Sequence, residues 1–200
     1  MSAYLYEENL NIKSDDSELI ESFLKGNHAA FNILVRKYQE RIYYTIRRMV
    51  LNHDDADDLT QEVFIKIFNS LSEFRGESKF FTYLYRIAVN YSLNHLNRNK
   101  KTASKTVDAE SREIESSDMR ADESIDSKEK SRLLEEAIES LPAQQRAVFN
   151  MRYYDNLSYD EISGILNKST GGMKANYFHA LKNIRKFLKS SKMSELLGQN

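Results

Sequence analysis

The sequence contains no cysteine and no tryptophan, one proline and only six glycines in 200 residues. Without thiols there is neither a disulfide framework nor a thiolate metal site or nucleophile, and a reducing compartment is permitted. So little proline and glycine leaves too few turns for a β-sandwich or barrel. Nowhere do about 18 apolar residues run consecutively. The start, MSAYLYEENLNIKSDD, lacks a basic stretch followed by an apolar run, so a soluble, cytoplasmic protein with no membrane insertion is expected.

What remains is 40% hydrophobic, including 11% aromatic, enough for a packed core. Leu, Lys, Glu, Ala and Ile recur at helical spacing throughout, which predicts an all-α protein. Residues 16–98 read as a helical domain. Its first helix stops at Gly26 and Asn27, and the second carries Phe31, Leu34, Val35, Tyr38, Ile42 and Met49 on one stripe. A third helix follows Asp54 and Asp55, with Leu59, Val63, Ile67 and Leu71 inward; after the break FRGESK a fourth runs from about Phe80 to Arg98. From 99 to 128 the apolar residues are isolated among Ser, Asp, Glu and Lys, as in a flexible linker. Residues 129–192 form a second small domain, with Leu133, Leu134, Ala137, Ile138 and Leu141 restarting the stripe and Pro142 placed for a helix start.

The net charge of −1 hides a strong segregation. Between Asp108 and Glu139 there are 12 acidic and 5 basic residues, a net of −7, whereas Arg75 to Lys105 holds seven basic residues and one acid, a net of +6. From Lys168 to Ser190 every charged side chain is basic. Basic stretches balanced by a separate acidic segment point to a polyanionic partner.

The C-terminal motif is the most explicit. Ser158-Tyr-Asp-Glu161 is a capping box, flanked by the staple pair Leu157 and Ile162, so a helix begins at Tyr159. It lasts two turns to Leu166. Asn167 then opens a turn, and Ser169 or Thr170 caps a longer helix with Met173, Tyr177, Ala180, Leu181, Ile184 and Leu188 inward. Lys174, Ala175, Asn176, Phe178 and His179 face outward in its first turns, followed by Lys182, Arg185 and Lys186. A short helix, tight turn and basic second helix form a helix-turn-helix, whose second helix reads base edges in the major groove. Gly171 and Gly172 would let free N–H groups at its start approach a phosphate.

Two further surfaces stand out in the first domain. Asp58, Gln61, Glu62 and Ile65, with Asp55 one turn earlier, mix acid, amide and an exposed isoleucine on one face, as a protein-docking surface does. Along the fourth helix, Tyr83, Arg86, Asn90, Asn94 and Asn97 share a side away from Phe80, Leu84, Ile87 and Tyr91. An aromatic ring, arginine and amides in a row suit unstacked single-stranded bases.

These stretches resemble the extracytoplasmic-function (ECF) sigma factors of bacterial RNA polymerase. DDADDLTQEVFIKIF is similar to their region 2.2, FRGESKFFTYLYRIAVNYSLNHLNR to regions 2.3 and 2.4, and LPAQQRAVFNMRYYDNLSYDEISGILNKSTGGMKANYFHALKNIRKFL to region 4. The resemblance implies a region 2 helical bundle and a region 4 helix-turn-helix joined by a flexible acidic linker. It implies docking of the Asp58 face on core RNA polymerase, whose largest-subunit clamp and flap regions would be the partners, and control by an anti-sigma factor. It further implies that Arg75, Glu77, Ser78, Lys79 and the face from Tyr83 to Asn97 and Arg98 melt and read the minus-10 element of promoter DNA. Ser169, Thr170, Lys174, Ala175, Asn176, Phe178, His179 and Lys182 would meet the minus-35 element. No catalytic residue, cofactor or metal is expected.

The chain departs from the family pattern in having Tyr83 where tryptophan is usual, Gly172 where threonine is usual, and Ala175-Asn176 where a Ser-Arg pair is common. Two other readings stand beside it. One is a helix-turn-helix repressor or activator binding duplex operators unaided. The other is an HD-type metal phosphohydrolase centred on His53-Asp54, although the remaining histidines, His28, His95 and His179, show no ligand spacing to that pair.

Overall fold

The computed structural model describes residues 10–103 and 125–190, and the helical class is as expected. Among the described residues there are eight α-helices, one 3-10 turn and no strand. No helix of these residues is long and apolar enough to cross a membrane. The chain divides into two compact units, one ending at Ser92 and the other beginning at Leu93. The expected linker lies largely in 104–124, outside the described residues, as do 191 and 192 at the end of the expected second domain.

In the first unit, α1 (Asp16–Leu24) starts where the Asp15 carboxylate accepts the Ser17 hydroxyl at 2.6 Å and the Ser17 N–H at 2.8 Å, and these two bonds, the hydroxyl's first, hold this carboxyl below its usual range. Asp16 ties α1 to α2: it accepts the Tyr38 hydroxyl at 2.6 Å and the Lys37 ammonium at 2.7 Å, and Lys37 also reaches the Ser14 carbonyl. Burial, then the bond to Asp16, pushes the Tyr38 phenol upward. Gly26, at φ +98°, reverses the chain so that Asn27 can cap α2 (His28–Val50) through the Ala29 N–H. Leu51 closes α2 in the left-handed region at φ +68°, its N–H returned to the Arg47 carbonyl.

The next helix, α3 (His53–Ser70), is capped by Asn52, whose side chain accepts the Asp55 N–H at 2.9 Å. The helix begins at His53, one residue before the aspartates it was expected to follow. Since Asn52 supplies the acceptor, Asp54 and Asp55 fall inside the first turn, where the positive end of the helix dipole favours them. A 3-10 turn (Leu71–Glu73) and an exposed loop lead to α4 (Phe80–Ala103). The core of this unit is built from Leu19, Leu34, Ile42, Ile46, Val63, Ile67 and Leu84, all fully buried, with Val35 and Tyr38 at its half-buried edge.

Besides the end of α4, the second unit comprises α5 (Ile125–Glu139), α6 (Ala143–Tyr153), α7 (Tyr159–Leu166) and α8 (Thr170–Ser190). Its core is Ala137, Ile138, Leu141, Phe149, Ala180 and Ile184, surrounded by Leu134, Tyr177, Phe187 and Leu188. Pro142 stands at the cap, just before the first residue of α6. Arg146 is buried and donates to the carbonyls of Glu139 and Leu141, satisfying acceptors that the end of α5 leaves open. Burial depresses its pKa, partly countered by Glu139.

One inward residue was misplaced: Leu181 is 44% exposed. At about 100° per residue it lies roughly 80° from Met173 around α8, whereas Phe187 lies about 40° away on the other side and packs inward instead.

Removing the Ser158 hydroxyl from the capping box, as in Ser158→Ala, should lower the stability of the second unit by about 1 kcal/mol, and Ile46→Ala should cost the first unit about 2–5 kcal/mol. Urea unfolding followed by hydrogen exchange at amides of each unit checks both values.

Candidate functional site

The stripe that α3 buries fixes what it shows. With Leu59, Val63 and Ile67 inward, Asp58, Gln61, Glu62 and Ile65 are all exposed, Ile65 at 61%. Asp55 is half-buried at the edge of this face. The sequence reading stopped one step short, because Phe68, three residues beyond Ile65, is 40% exposed and extends the face. Its ring packs 5.1 Å from both Phe23 and Phe31 and stacks on His28 at 5.8 Å, so it is held in place while presenting an edge to solvent. Continuing the i, i+3 spacing from Ile65 would have found it.

His53 is otherwise engaged: its Nδ1 lies 2.7 Å from the Tyr43 hydroxyl and its Nε2 3.6 Å from Asp57. Among the described residues no three His, Asp or Glu side chains are grouped to hold a metal. The phosphohydrolase reading thus has no supporting geometry in the described residues.

Along α4, Phe80, Leu84, Tyr85, Ala88, Val89 and Ser92 are buried, a line rotated from the expected one so that Ile87 and Tyr91 are only half-buried. Arg86, Asn90, Asn94, Asn97 and Arg98 are exposed on the helix. Arg75, Glu77, Ser78 and Lys79 are exposed in the loop before it, where Gly76 takes φ +71°. Tyr83 departs from the expectation of a free ring. It is half-buried, tilted against Phe74 at 5.1 Å, with its hydroxyl 3.3 Å from that of Ser70. The Arg86 guanidinium lies 5.8 Å from its ring, and Arg41, which sequence reasoning passed over, sits 3.8 Å over the Phe81 ring.

In the second unit the capping box is present in full: Glu161 donates its N–H to the Ser158 hydroxyl at 3.2 Å and accepts the Ser158 N–H at 2.7 Å. Asn167 is left-handed at φ 50°, giving the tight turn between α7 and α8. Ser169 accepts the Gly172 N–H at 3.2 Å, so that N–H is not free for a phosphate as the sequence had implied. The Thr170 hydroxyl donates to Asp160 at 3.0 Å, with Ser163 Oγ at 3.4 Å, fastening the start of α8 to α7.

Lys174, Ala175, Phe178, His179 and Lys182 are exposed, Phe178 at 64%, whereas Asn176 is half-buried and donates to the Gly172 carbonyl at 2.9 Å. Two cations meet at one ring: the Arg152 guanidinium is 5.3 Å and the Lys174 ammonium 5.9 Å from the centre of Tyr159. Periodicity could not reveal this cluster, since it joins three different helices across two turns.

The chain matches the family model of sigma-70 region 2 over residues 34–102 and that of sigma-70, region 4 over residues 131–184. It is 35% identical over 184 residues to the RNA polymerase sigma-H factor of Pseudomonas aeruginosa, covering 88% of this chain and 95% of that protein. It is 38% identical over 174 residues to the ECF RNA polymerase sigma-E factor of Escherichia coli K12, covering 82% of this chain and 90% of the relative. Among solved structures, the sigma factor RpoE of Bartonella quintana, crystallised with the anti-sigma factor NepR, gives a TM-score of 0.63 at 19% identity over 81% of this chain and 98% of its own, a likeness of fold.

If Thr170 and Asp160 fix the start of α8, Thr170→Val and Asp160→Ala should each destabilise the second unit by roughly 0.5–1.5 kcal/mol, and Asp160→Asn, which keeps an acceptor, by less. Thermal unfolding of the three variants gives the comparison.

Proposed function

This chain belongs to the sigma-70 family, in its ECF branch, and from that premise we propose how its surfaces divide the work of starting transcription. An ECF sigma factor binds core RNA polymerase and directs it to promoter DNA, and an anti-sigma factor is the kind of partner that controls it. In our reading the Asp58–Ile65 face, extended by Phe68, docks on the polymerase clamp. The loop Arg75–Lys79 and the outer strip of α4 open and read the minus-10 element, and the first turns of α8 enter the major groove of the minus-35 element. The protein acts by binding in the bacterial cytoplasm, with no catalytic residue, cofactor or metal of its own.

The observation that carries this division is that regions 2 and 4 occur in order, region 2 mainly on the first helical unit and region 4 on the second, with the relevant polar and basic faces outside the core. Spacing supports dependence on core. About 25 base pairs at 3.4 Å separate the two promoter elements by on the order of 80 Å. A flexible chain of about 30 residues has an r.m.s. span near 30 Å. Polymerase would therefore hold the two units at the distance the promoter demands.

Transcription in vitro with core polymerase stripped of other sigma factors tests the reading. Initiation at a defined set of promoters is expected only when the protein is added, and Asp58→Arg or Glu62→Arg should weaken association with core about tenfold or more with unchanged helicity. Silence on every template overturns the assignment, and tight duplex binding without core favours the repressor alternative. Association of both variants equal to that of the parent removes the docking face.

A further inference from the structure

We propose that Tyr83 is a positioning residue for the Arg75–Lys79 loop, setting its geometry from behind rather than offering its ring to a base. This rests on the assignment of that loop to the minus-10 strand. Tyr83 stands in the first turn of α4, and its environment differs from that of a stacking platform. The ring is half-buried and leans on Phe74 at 5.1 Å, an interplanar tilt of 37°. Phe74 in turn meets Phe80 edge-on at 5.9 Å. The residue that opens the loop is thus gripped by two aromatic rings that lie one helical turn apart just after it.

The hydroxyl completes the attachment. Ser70, the last residue of α3, is buried, and its hydroxyl donates to the Lys66 carbonyl at 2.8 Å. With its proton committed there, the Ser70 oxygen accepts, and Tyr83 is the donor across 3.3 Å. One side chain therefore joins the end of α3, the opening of the loop and the start of α4. The loop has little of its own to fix it: Arg75 to Lys79 are all exposed, Gly76 is left-handed, and the Ser78 hydroxyl reaches only the neighbouring Lys79 carbonyl, at 3.4 Å. Its shape is inherited from its two ends. Any sequence preference expressed through the loop then depends on Tyr83 and Ser70, neither of which need touch DNA.

The test uses the full chain bound to core polymerase, with a fluorescein-labelled single-stranded DNA pool randomised at six positions as the probe. Sequencing the bound fraction gives the enrichment of the preferred sequence, and anisotropy gives affinity for the unselected pool. Tyr83→Phe removes only the hydroxyl and Ser70→Ala only its acceptor. Each should lower enrichment by about threefold to tenfold, with pool affinity and core association within about twofold of the parent. The double variant should be no worse than either single one, since both break the same bond. Unchanged enrichment in both variants overturns the proposal. So does Tyr83→Ala lowering affinity for all sequences alike while Tyr83→Phe does nothing, because that is the signature of a ring stacked on a base. A parent complex that enriches no sequence removes the loop assignment itself, and this proposal with it.

Discussion

The packing of α2 against α3 is the interaction on which the first unit depends. Leu34, Ile42, Ile46 and Met49 from one helix, and Leu59, Val63 and Ile67 from the other, are almost entirely removed from water. Burial of each such side chain contributes about 1.5–3 kcal/mol, set against roughly 1–2 kcal/mol of backbone entropy for every residue ordered. The ion pairs Lys25–Glu21 and Lys37–Asp16, exposed and half-buried, contribute far less than this apolar burial and that of α1 and α4. The same packing fixes the rotation of α3 about its axis. Once Val63 and Ile67 point inward, Asp58, Glu62 and Ile65 have nowhere to go but outward, so the exposed acidic and apolar face is a geometric consequence of the core.

That coupling explains why so much was legible. A stripe with helical period names both of its sides at once, which is how the acidic and apolar face of α3, the amide strip of α4 and the open first turns of α8 could be placed from residue spacing. The helix-turn-helix was clearer still, because Ser158, Glu161 and Asn167 specify ends as well as faces. The failures lie where a group is claimed by a partner that helical period does not name. Tyr83 was assigned by its angle on α4, but Ser70 and Phe74 draw it in. Gly172 promised a free N–H that the Ser169 hydroxyl takes, and Thr170 spends its hydroxyl on Asp160. Asn52 took the cap because the helix begins one residue before the aspartates. The Tyr159 cluster had no periodic signal at all.

Aromatic residues show the division of labour most plainly. In the second unit Phe149 stacks between Tyr153 and Tyr177, at 5.2 and 6.1 Å, as part of the core. Tyr159 works at the margin, where the exposed Lys174 and the half-buried Arg152 lie against its ring. Such contacts limit the rotamers of one cation on α6 and one on α8. Phe178, by contrast, is 64% exposed and touches little but the edge of His179. An apolar ring left in water contributes little to the fold.

Charge completes the argument. The basic residues between Arg75 and Lys100 and those of α8 repel their own kind, and at a Debye length of about 8 Å this is tolerated because their side chains are exposed. Neutralising phosphates relieves that repulsion and releases counterions, with a contribution near 0.9 to the salt slope per contact on duplex DNA. Those contacts carry no sequence information. Discrimination must come from the few groups that are both exposed and fixed in place, and these differ between the units. On α8 they sit on a helix whose first turn is tied down by Ser169 and Thr170, whereas before α4 they sit on a loop whose stiffness is borrowed from its neighbours. A helix presents side chains in one register and suits an intact groove. A loop held only at its ends can close around a base that has left the stack, which is the geometric reason for placing strand opening in the first unit and duplex reading in the second.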